Sequence, residues 1–397
     1  SVAPELPPPE ELTDWWRSAV ELRRDIHRRP ELRFAEHRTA ELLSARLRNA
    51  GYEVTTGVAR TGVVARLARG DGPAVVIRAD LDALPLTEAN DVEYRSTTPG
   101  VMHACGHDVH MAGVVTAAER LAAVSDWAGT LTVLFQPAEE IPFGEESGAR
   151  AILESGAIDF AEVDAVFGLH CWPWLPAGVV GIDPEVAMAS KDAFQIEING
   201  ATTHAAAPAD GRDALLAMSH LVVALHSQVF RRINPADQVA FNIGSISGLF
   251  GQSIVADHVE IIGTLRTLDE AVRDRLQRAI EDATRFTARA HGCEGQVRWA
   301  NQMPAVRNDA DLVKETWGVL DAVGGLRVVE MESTPMTTDD FALYAERAPG
   351  LYMKLGTSGG TLTPLHSSTF DVDERSIWVG VVAVEALVRG ALGRSQR

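Results

Sequence analysis

The sequence predicts an α/β fold with a largely parallel sheet, into which a second, compact domain is inserted. Apolar runs such as "AVVIRADLDALP" are continuous in their first half, as in strands covered on both faces, and they alternate with helical patterns. Over roughly Lys191 to Asn301 the order changes to β-α-β-β-α-β, which is typical of a ferredoxin-like unit. The length of 397 residues also exceeds that of one ordinary core.

The first part of the chain supplies both kinds of element. Helices are predicted from about Glu10 to Arg28, ending before Pro30, and from about Glu36 to Gly51. Strands are predicted at "GVVARLA", "AVVIRADLDALP", "TLTVLFQ" and "DAVFGLH", with helices after "MHACG" and near "GARAILESG". Strands that alternate with helices in this way favour a parallel sheet.

The inserted domain is predicted to run from "DAFQIEI" to "GQVRWAN" and to form a separate lobe. Beyond it the α/β pattern resumes with a helix near residues 310–323, the strands "LRVVE" and "GLYMKLG", and a final helix from Glu374. We therefore expect a main domain formed by residues 1–188 and 302–397, and an inserted domain formed by residues 189–301.

Composition narrows the choice of partners and compartment. The formal net charge of −19 disfavours nucleic acid and anionic membranes, and no apolar run reaches the about 18 residues that a membrane span needs. The stretch "SVAPELPPPEEL" lacks the basic and apolar regions of a signal peptide, so we expect a disordered, Pro-rich leader. The sparse, odd set Cys105, Cys171 and Cys293 favours a reducing compartment, with the cytoplasm as the expected location.

Residue types that bind metal ions recur at the carboxyl ends of predicted strands or just past them: Asp80, Asp82, Cys105, His107, Glu139, Glu140, His170 and His366. Because ligands of an open α/β sheet gather at that edge, residues far apart in sequence can share one site. Singly, each also has a structural interpretation, such as a turn residue for Asp80 or an inert buried thiol for Cys105. Their coincidence favours a metal site, whereas His103 and His110 are predicted to be structural.

Five motifs, in this order, resemble those of the M20 metallopeptidase family: "RADLDALP", "MHACGHDVH", "FQPAEE", "GLH" and "LHSSTF". The similarity is greatest to its amidohydrolase branch, which includes N-acyl-amino-acid amidohydrolases, indole-acetyl-amino-acid hydrolases and hippurate hydrolase. It covers nearly the whole chain, from "LRRDIHRRPEL" to the final helix. The resemblance implies a metal-dependent amidohydrolase that acts on a small N-acyl substrate, with the inserted domain as its lid and the contact of a homodimer.

The resemblance implies five metal ligands: Cys105, His107, Glu140, His170 and His366. Cys105 would bridge two divalent ions, with His107 and His170 on one ion and Glu140 and His366 on the other. A thiolate suits this role because sulfur is large and polarisable. Thiolate and imidazole ligands favour Zn²⁺, whereas members of this branch often use Mn²⁺, so both metals stay open.

The resemblance also implies the catalytic roles. A hydroxide between the two ions would attack the amide carbonyl, and Glu139 would take the proton of the water and pass it to the leaving amine. Asp82 would orient His107 through its other ring nitrogen. His204, in "NGATTHAAAP", would reach the active site of the partner subunit and polarise the scissile carbonyl.

Substrate recognition is expected to involve the inserted domain. Arg266 in "GTLR" and Arg231 before "INP" match family positions, and either could clamp a substrate carboxylate. Relatives carry Asn-(Val/Ile)-Ile-Pro where this chain has "SIVA", which makes Ser253 the candidate at the asparagine position. This departure puts recognition of a standard amino-acid carboxylate in doubt.

Three alternatives stay open. A dipeptidase or carboxypeptidase of the same family would prefer unblocked peptides to N-acylated amino acids. A cysteine hydrolase with Cys105 as its nucleophile would keep its activity after exhaustive chelation. A non-catalytic binding protein is disfavoured by Glu139, because a pure binding site has no need of an extra carboxylate beside the ions.

Overall fold

The computed structural model describes residues 13–248 and 251–393. Within these ranges the strands are β1 (Glu53–Val58), β2 (Gly62–Arg69), β3 (Ala74–Asp80), β4 (Gly129–Gln136), β5 (Ala165–Pro176), β6 (Val179–Ile182), β7 (Val186–Met188), β8 (Lys191–Asn199), β9 (Val239–Gly248), β10 (His258–Thr267), β11 (Glu294–Met303), β12 (Val306–Arg307), β13 (Arg327–Glu330) and β14 (Gly350–Ser358). The α-helices are α1 (Thr13–Arg28), α2 (His37–Asn49), α3 (His107–Ala123), α4 (Gly148–Ser155), α5 (Ala214–Arg232), α6 (Glu270–Ala290), α7 (Ala310–Asp321), α8 (Ala342–Ala345) and α9 (Arg375–Leu392).

The main domain is built on an eight-stranded sheet with the order β1-β2-β4-β3-β5-β14-β6-β13. Its central strands β4, β3, β5 and β14 are parallel. The flanking strands β2 and β6 run antiparallel to their inner neighbours. The predicted α/β fold with a largely parallel sheet is therefore confirmed, and the carboxyl ends of β3, β4 and β5 meet at one edge.

Helices cover both faces of this sheet. One core packs α1, α2, α3, α7 and α9 against one face, and a second core packs α4 and α8 against the other. In β3, Val75 and Ile77 face the first core, while Val76 faces the second. This double burial explains why the strand reads as a continuous apolar run rather than an alternating one.

The inserted domain is a four-stranded antiparallel sheet with the order β11-β8-β10-β9. Helices α5 and α6 pack on one face of it and form a separate core. The chain order β8-α5-β9-β10-α6-β11 is the predicted ferredoxin-like pattern, which is thereby confirmed. This sheet runs from Lys191 to Met303, and the short strands β7 and β12 pair where the chain enters and leaves it.

Some elements carry too little pattern to be predicted. β1 is largely exposed and polar, and β6 has only four residues, so neither shows a hydrophobic period. The predicted leader and the first residues of the predicted first helix lie in positions 1–12, outside the described residues. Among the helices that the structure describes, none has the length and apolar character needed to cross a bilayer.

Candidate metal centre and active site

The loop before α3 brings a thiol and an imidazole to the carboxyl edge of the sheet. Gly106 separates Cys105 from His107 and has a φ of 87°. A Cβ at this position would lie 2.6 Å from Sγ of Cys171, so both the left-handed backbone and the close approach require glycine. Cys105 and His107 are 6% and 0% exposed, and α3 begins at His107 directly after the turn.

Side chains from three other segments converge on the sulfur of Cys105. His170, from β5, places Nε2 3.4 Å from Sγ, and His366 places Nε2 3.3 Å from it. Glu140 Oε1 lies 2.8 Å from the same nitrogen of His366. His366 has a φ of 60°, which non-glycine residues rarely adopt, and its N–H donates to the carbonyl of Ala104. Four of the five predicted ligands therefore meet around one sulfur.

The fifth predicted ligand, His107, is held ready to accept a metal ion. Its Nδ1 donates to the carbonyl oxygen of Asp82 at 2.7 Å, while its buried Nε2 has no hydrogen-bond partner among the described residues. His170 is held in the same way, because its Nδ1 donates to the carbonyl of Cys171 at 2.8 Å. Both rings therefore keep Nε2 free of the backbone, as in histidines that bind metal through that nitrogen. Burial lowers the pKa of His107, but Asp80 and Asp82 raise it to about 10, so a metal ion at this ring would displace a proton.

The chemistry of the donor set fits divalent cations. Two of the four groups whose potential ligand atoms all lie within 4.8 Å of one another among the described residues are Cys105, Glu140 and His366, and His107, Glu139 and Glu140. Thiolate, imidazole and carboxylate are ligands of zinc and similar ions. Burial, together with Glu140 and Glu139, raises the pKa of Cys105 well above its usual value. A thiolate here needs an adjacent positive charge, which favours metal binding over an isolated thiol nucleophile.

A further group of potential ligands within 4.8 Å consists of Asp80, His107, His110 and His170. In this group His110 has no lone pair left, because its Nδ1 donates to Asp80 Oδ1 at 2.6 Å and its Nε2 accepts the N–H of Cys171 at 2.8 Å. Asp80 also accepts from Arg78 at 2.8 Å. Burial lowers the pKa of His103 to about 3, so this ring is neutral. The contacts of His110 fit the structural role predicted for it, whereas the ring nitrogens of His103 have no hydrogen-bond partner among the described residues, so its role stays a prediction.

Two buried carboxylates hold the loop that carries Glu139 and Glu140. Asp82 accepts the backbone N–H groups of both residues, at 3.1 and 2.9 Å. Glu36 accepts the N–H of Ala138 at 3.0 Å, where the backbone has a φ of 50°. Three consecutive N–H groups are thereby fixed, which allows the two adjacent glutamate side chains to point to different partners.

The contacts of Asp82 differ in detail from the predicted ones. The short contact to His107 Nδ1 is made by the backbone carbonyl, while the carboxylate Oδ1 lies 3.5 Å away. Asp82 thus holds a predicted ligand with its carbonyl and the glutamate loop with its carboxylate. The role of Glu36 could not be predicted, because a single glutamate before a helix has no distinctive pattern.

Glu139 lies beside further acidic groups. Burial raises the pKa of Glu139 well above its usual value, and the neighbouring carboxylates Glu140, Asp339 and Asp340 raise it further. The guanidinium of Arg78 lies 3.1 Å from Asp339 Oδ1 and 2.9 Å from Asp340 Oδ1, so the two aspartates share one cation. A raised pKa makes Glu139 a stronger base, as a group that takes a proton from water requires.

A cavity of about 450 Å³ between the two domains is lined by four of the five predicted ligands, all except His107, and by Glu139. Trp172 and Trp174 form an aromatic wall with ring centroids 4.6 Å apart. The inserted domain contributes Lys191, Arg266 and Met303 to the lining. Of these, Arg266 was predicted from the sequence as a residue that binds a substrate carboxylate. Nothing in the sequence except its place at a strand end marked Lys191 as a cavity residue.

Comparison with known proteins places the chain in a family. Residues 76–390 match the sequence model of peptidase family M20/M25/M40. The chain belongs to this family. It is 35% identical over 372 residues to the N-acetyl-L-cysteine deacetylase of Bacillus subtilis (strain 168), covering 93% of this chain and 87% of that protein. It is 34% identical over 381 residues to thermostable carboxypeptidase 2 of Saccharolobus solfataricus, covering 94% of each protein.

A solved structure gives the same result for this M20 chain. A Bacillus subtilis protein described as a dinuclear metal binding peptidase from the M20 family has a TM-score of 0.83 and 30% sequence identity to it, covering 96% of this chain and 99% of that one. The M20 resemblance predicted from the five motifs is therefore confirmed.

Three predicted residues lie away from the cavity of this M20 chain. His204, Arg231 and Ser253 are exposed on the inserted domain and do not line the cavity. His204 forms an isolated bridge with Ile254, and the N–H of Ala205 donates to the carbonyl of Ser253. His204 and Ser253 are therefore neighbours on one surface. Their predicted roles, and that of Arg231, stay predictions.

Proposed function

We propose that the protein is a dinuclear metal-dependent amidohydrolase, which cleaves the amide bond of an N-acyl amino acid or related N-acyl amine into a carboxylate and an amine. The observation that carries this proposal is the convergence of two imidazoles and a carboxylate on the sulfur of Cys105, next to a second carboxylate, Glu139. The deacetylase among the relatives supports the reaction class.

The residues that would hold the two ions, Zn²⁺ or Mn²⁺, are Cys105, His107, Glu140, His170 and His366. Cys105 would be shared, as its central position among the other donors suggests. When bound, the ions supply an acidified water molecule as nucleophile and positive charge for the developing oxyanion.

The remaining steps belong to the residues of the chain. Glu139 takes the proton of the water and delivers it to the leaving nitrogen, for which its raised pKa is suited. Asp82 and Glu36 keep the loop of Glu139 in place. Arg266 binds the substrate carboxylate, with its Nη1 held by the carbonyl of Met336 at 2.9 Å and a nearby threonine hydroxyl at 2.8 Å.

The proposal extends to a cytoplasmic homodimer in which His204 of the partner subunit polarises the scissile carbonyl. Residues 189–301 would serve as lid and dimerisation domain on a catalytic domain of residues 1–188 and 302–397. Exposed apolar side chains on the inserted domain support a contact there: Leu215, Leu216, Val223, Ile246 and Ile254. β9 is an edge strand of its sheet and can pair with a second copy. The three cysteines are free, as expected in a reducing compartment.

A peptidase activity is the second candidate, because the carboxypeptidase of Saccharolobus solfataricus is a similarly close relative. A carboxypeptidase and an N-acyl-amino-acid hydrolase break the same kind of bond next to a free carboxylate. They differ in whether the acyl side carries an unblocked amine. A substrate panel of N-acetyl amino acids, N-benzoyl amino acids and unblocked dipeptides separates them, and preferential turnover of the dipeptides would overturn the amidohydrolase assignment.

The substitution Glu139→Gln tests the proposed chemistry. The amide cannot accept the proton of the water, so we expect kcat to fall by about 10²–10⁴-fold while elemental analysis still finds two ions per subunit. Glu154→Gln, an exposed glutamate on α4, is the matched control and should keep the wild-type rate. A near wild-type kcat for Glu139→Gln refutes the role, and activity that survives exhaustive chelation refutes the metal mechanism.

A further inference from the structure

Lys191 is unlike the other two lysines of the chain, Lys314 and Lys354. Lys354 is buried and donates to Asp183 at 2.7 Å, and Lys314 is exposed on α7. Lys191 instead begins β8 and lines the cavity that holds the candidate metal ligands. It also lines a neighbouring groove of about 220 Å³, so its side chain stands where the two spaces meet.

The register of the inserted sheet places Lys191 beside Arg266. β8 and β10 pair Asp192 with Leu265, so the next position opposes Lys191 and Arg266 across the two strands. Leu265 and Asp192 both face the helices of the inserted domain. Leu265 is fully buried in the core there, and Asp192 accepts two hydrogen bonds from Arg273 of α6, both at 2.7 Å. Because side chains alternate along a strand, Lys191 and Arg266 share the opposite face, toward the main domain.

Two cations opposite one another on antiparallel strands repel, so this arrangement costs stability unless an anion lies between them. Burial lowers the pKa of Lys191 and Arg266 lowers it further, while the carboxylates of the cavity act in the opposite direction without reversing the shift. Within the part of the chain that the structure describes, neither forms an ion pair, and the Nη1 donors of Arg266 go to neutral acceptors. Arg78 and Arg273, by contrast, are buried against carboxylates.

We propose that Lys191 is a specificity-determining residue that selects substrates with a second carboxylate. This rests on the proposed function, in which Arg266 binds the first carboxylate of an N-acyl amino acid. The second carboxylate belongs either to an acidic amino-acid side chain or to a dicarboxylic acyl group, and the chemistry that Lys191 recognises is the same in both. Among the described residues that line the neighbouring groove, Lys191 is the sole charged one, so it sets the charge preference there.

Matched substrate pairs that differ by one charge test this proposal. The pairs are N-acetyl-L-glutamate with N-acetyl-L-glutamine, and N-succinyl-L-alanine with N-succinamoyl-L-alanine. For the wild type we expect kcat/KM to be about tenfold higher for the dianion of at least one pair, which corresponds to about 1.4 kcal/mol. The pair that shows the preference identifies whether the second carboxylate lies on the amine side or the acyl side.

Substitutions at Lys191 should change that ratio through KM. Lys191→Met is expected to bring the ratio of kcat/KM within the preferred pair close to one, and Lys191→Arg to retain most of it. Lys314→Met, the same substitution on the exposed face of α7, is the control and should show the wild-type ratio. Metal content of each variant is measured in parallel, because Glu139, Glu140 and Asp340 also act electrostatically on Lys191.

Two results would overturn the proposal: equal kcat/KM within both pairs for the wild type, or an equal loss on all four substrates in Lys191→Met. The second result would mean that Lys191 balances the charge of Glu139, Glu140 and Asp340 and does not select substrates. If the wild type hydrolyses none of the four and none of the N-acetyl and N-benzoyl amino acids of the panel above, the proposed function fails. The specificity proposal is then decided by binding, as the difference in Tm shift between N-acetyl-L-glutamate and N-acetyl-L-glutamine with and without Lys191→Met.

Discussion

The two domains hold their candidate site residues in opposite ways. In the main domain, Cys105, His107 and His170 are at most 6% exposed, and each ring nitrogen that faces away from the sulfur is fixed by a backbone carbonyl. In the inserted domain, His204 and Ser253 are exposed. Among the residues at 13–248 and 251–393, the hydrogen-bond partner of the His204 ring is the backbone N–H of Ala206, which donates to Nδ1 at 3.0 Å.

From this contrast we infer which part of the candidate site one chain holds in place by itself. Buried polar groups must be paired, so the network beneath the candidate ligands fixes their positions before any substrate arrives. An exposed histidine is not restrained in this way, and a precise role for it requires a second surface to pack against. Substitution of the groups that support the main-domain residues should therefore lower stability and kcat. The effect of substituting the inserted-domain residues should depend instead on the assembly of two subunits.

Among the substitutions that test this comparison, Asp82→Asn is expected to cause the largest loss of stability and activity. The amide keeps one acceptor oxygen but turns an N–H₂ toward the backbone N–H of Glu139 or Glu140, which leaves a buried donor unpaired. We expect a loss of about 1–3 kcal/mol in the free energy of unfolding. Misplacement of both glutamates should also lower kcat by about 10²–10³-fold. Urea unfolding and steady-state kinetics measure the two effects.

Asp164→Asn is the matched control for this substitution. Asp164 also accepts a backbone N–H, that of Ala74 at 2.8 Å, but it is exposed and lies at the opposite end of β3 from the site. It should lose little stability, because water can replace the hydrogen bond, and kcat should stay near that of the wild type. Equal kinetics for Asp82→Asn and Asp164→Asn would show that the glutamate loop does not need the carboxylate.

A smaller effect, which tests the other side of the comparison, is expected from His204→Ala. Loss of one donor to the developing oxyanion should lower kcat by about 10²-fold without loss of metal ions. Mixing His204→Ala with Glu139→Gln subunits should restore activity, because each mixed dimer has one site with both residues intact. Random mixing gives about a quarter of the wild-type rate. Mixed dimers verified by mass that stay inactive would show that the site is completed within one chain.

The sequence was sufficient to predict the fold and the clustering of the candidate ligands, for a physical reason. Continuous apolar runs identify the doubly covered strands. Asp80 ends β3, whereas His170 lies inside β5, and the parallel register that pairs Arg78 with Gly168 sets the two residues level with each other. Cys105 and His107 are two residues apart on either side of a glycine, which also limits where they can lie.

What the sequence could not predict are contacts between segments that carry no periodic pattern. Glu36 supports Ala138 from 102 positions away, and the carbonyl rather than the carboxylate of Asp82 makes the short contact to His107. Lys191 lies opposite Arg266 because of the strand register, and that register depends on turn and bulge geometry in the inserted sheet. A single charged residue at a strand end is more often an ordinary surface group.

The smallest effects are expected at the two arginines predicted to clamp the substrate. Arg266 lines the cavity and is held by neutral acceptors, so Arg266→Met should raise KM about tenfold or more for a carboxylate substrate while kcat changes less. Arg231 is exposed on α5 and does not line the cavity, so Arg231→Met should raise KM less than Arg266→Met does. Comparing both variants on an N-acyl amino acid and its carboxamide measures the carboxylate contribution directly. If Arg231→Met raised KM more than Arg266→Met, the substrate would have to reach the exposed surface of the inserted domain. The distinction between a cavity built by one chain and a surface that depends on assembly would then be wrong.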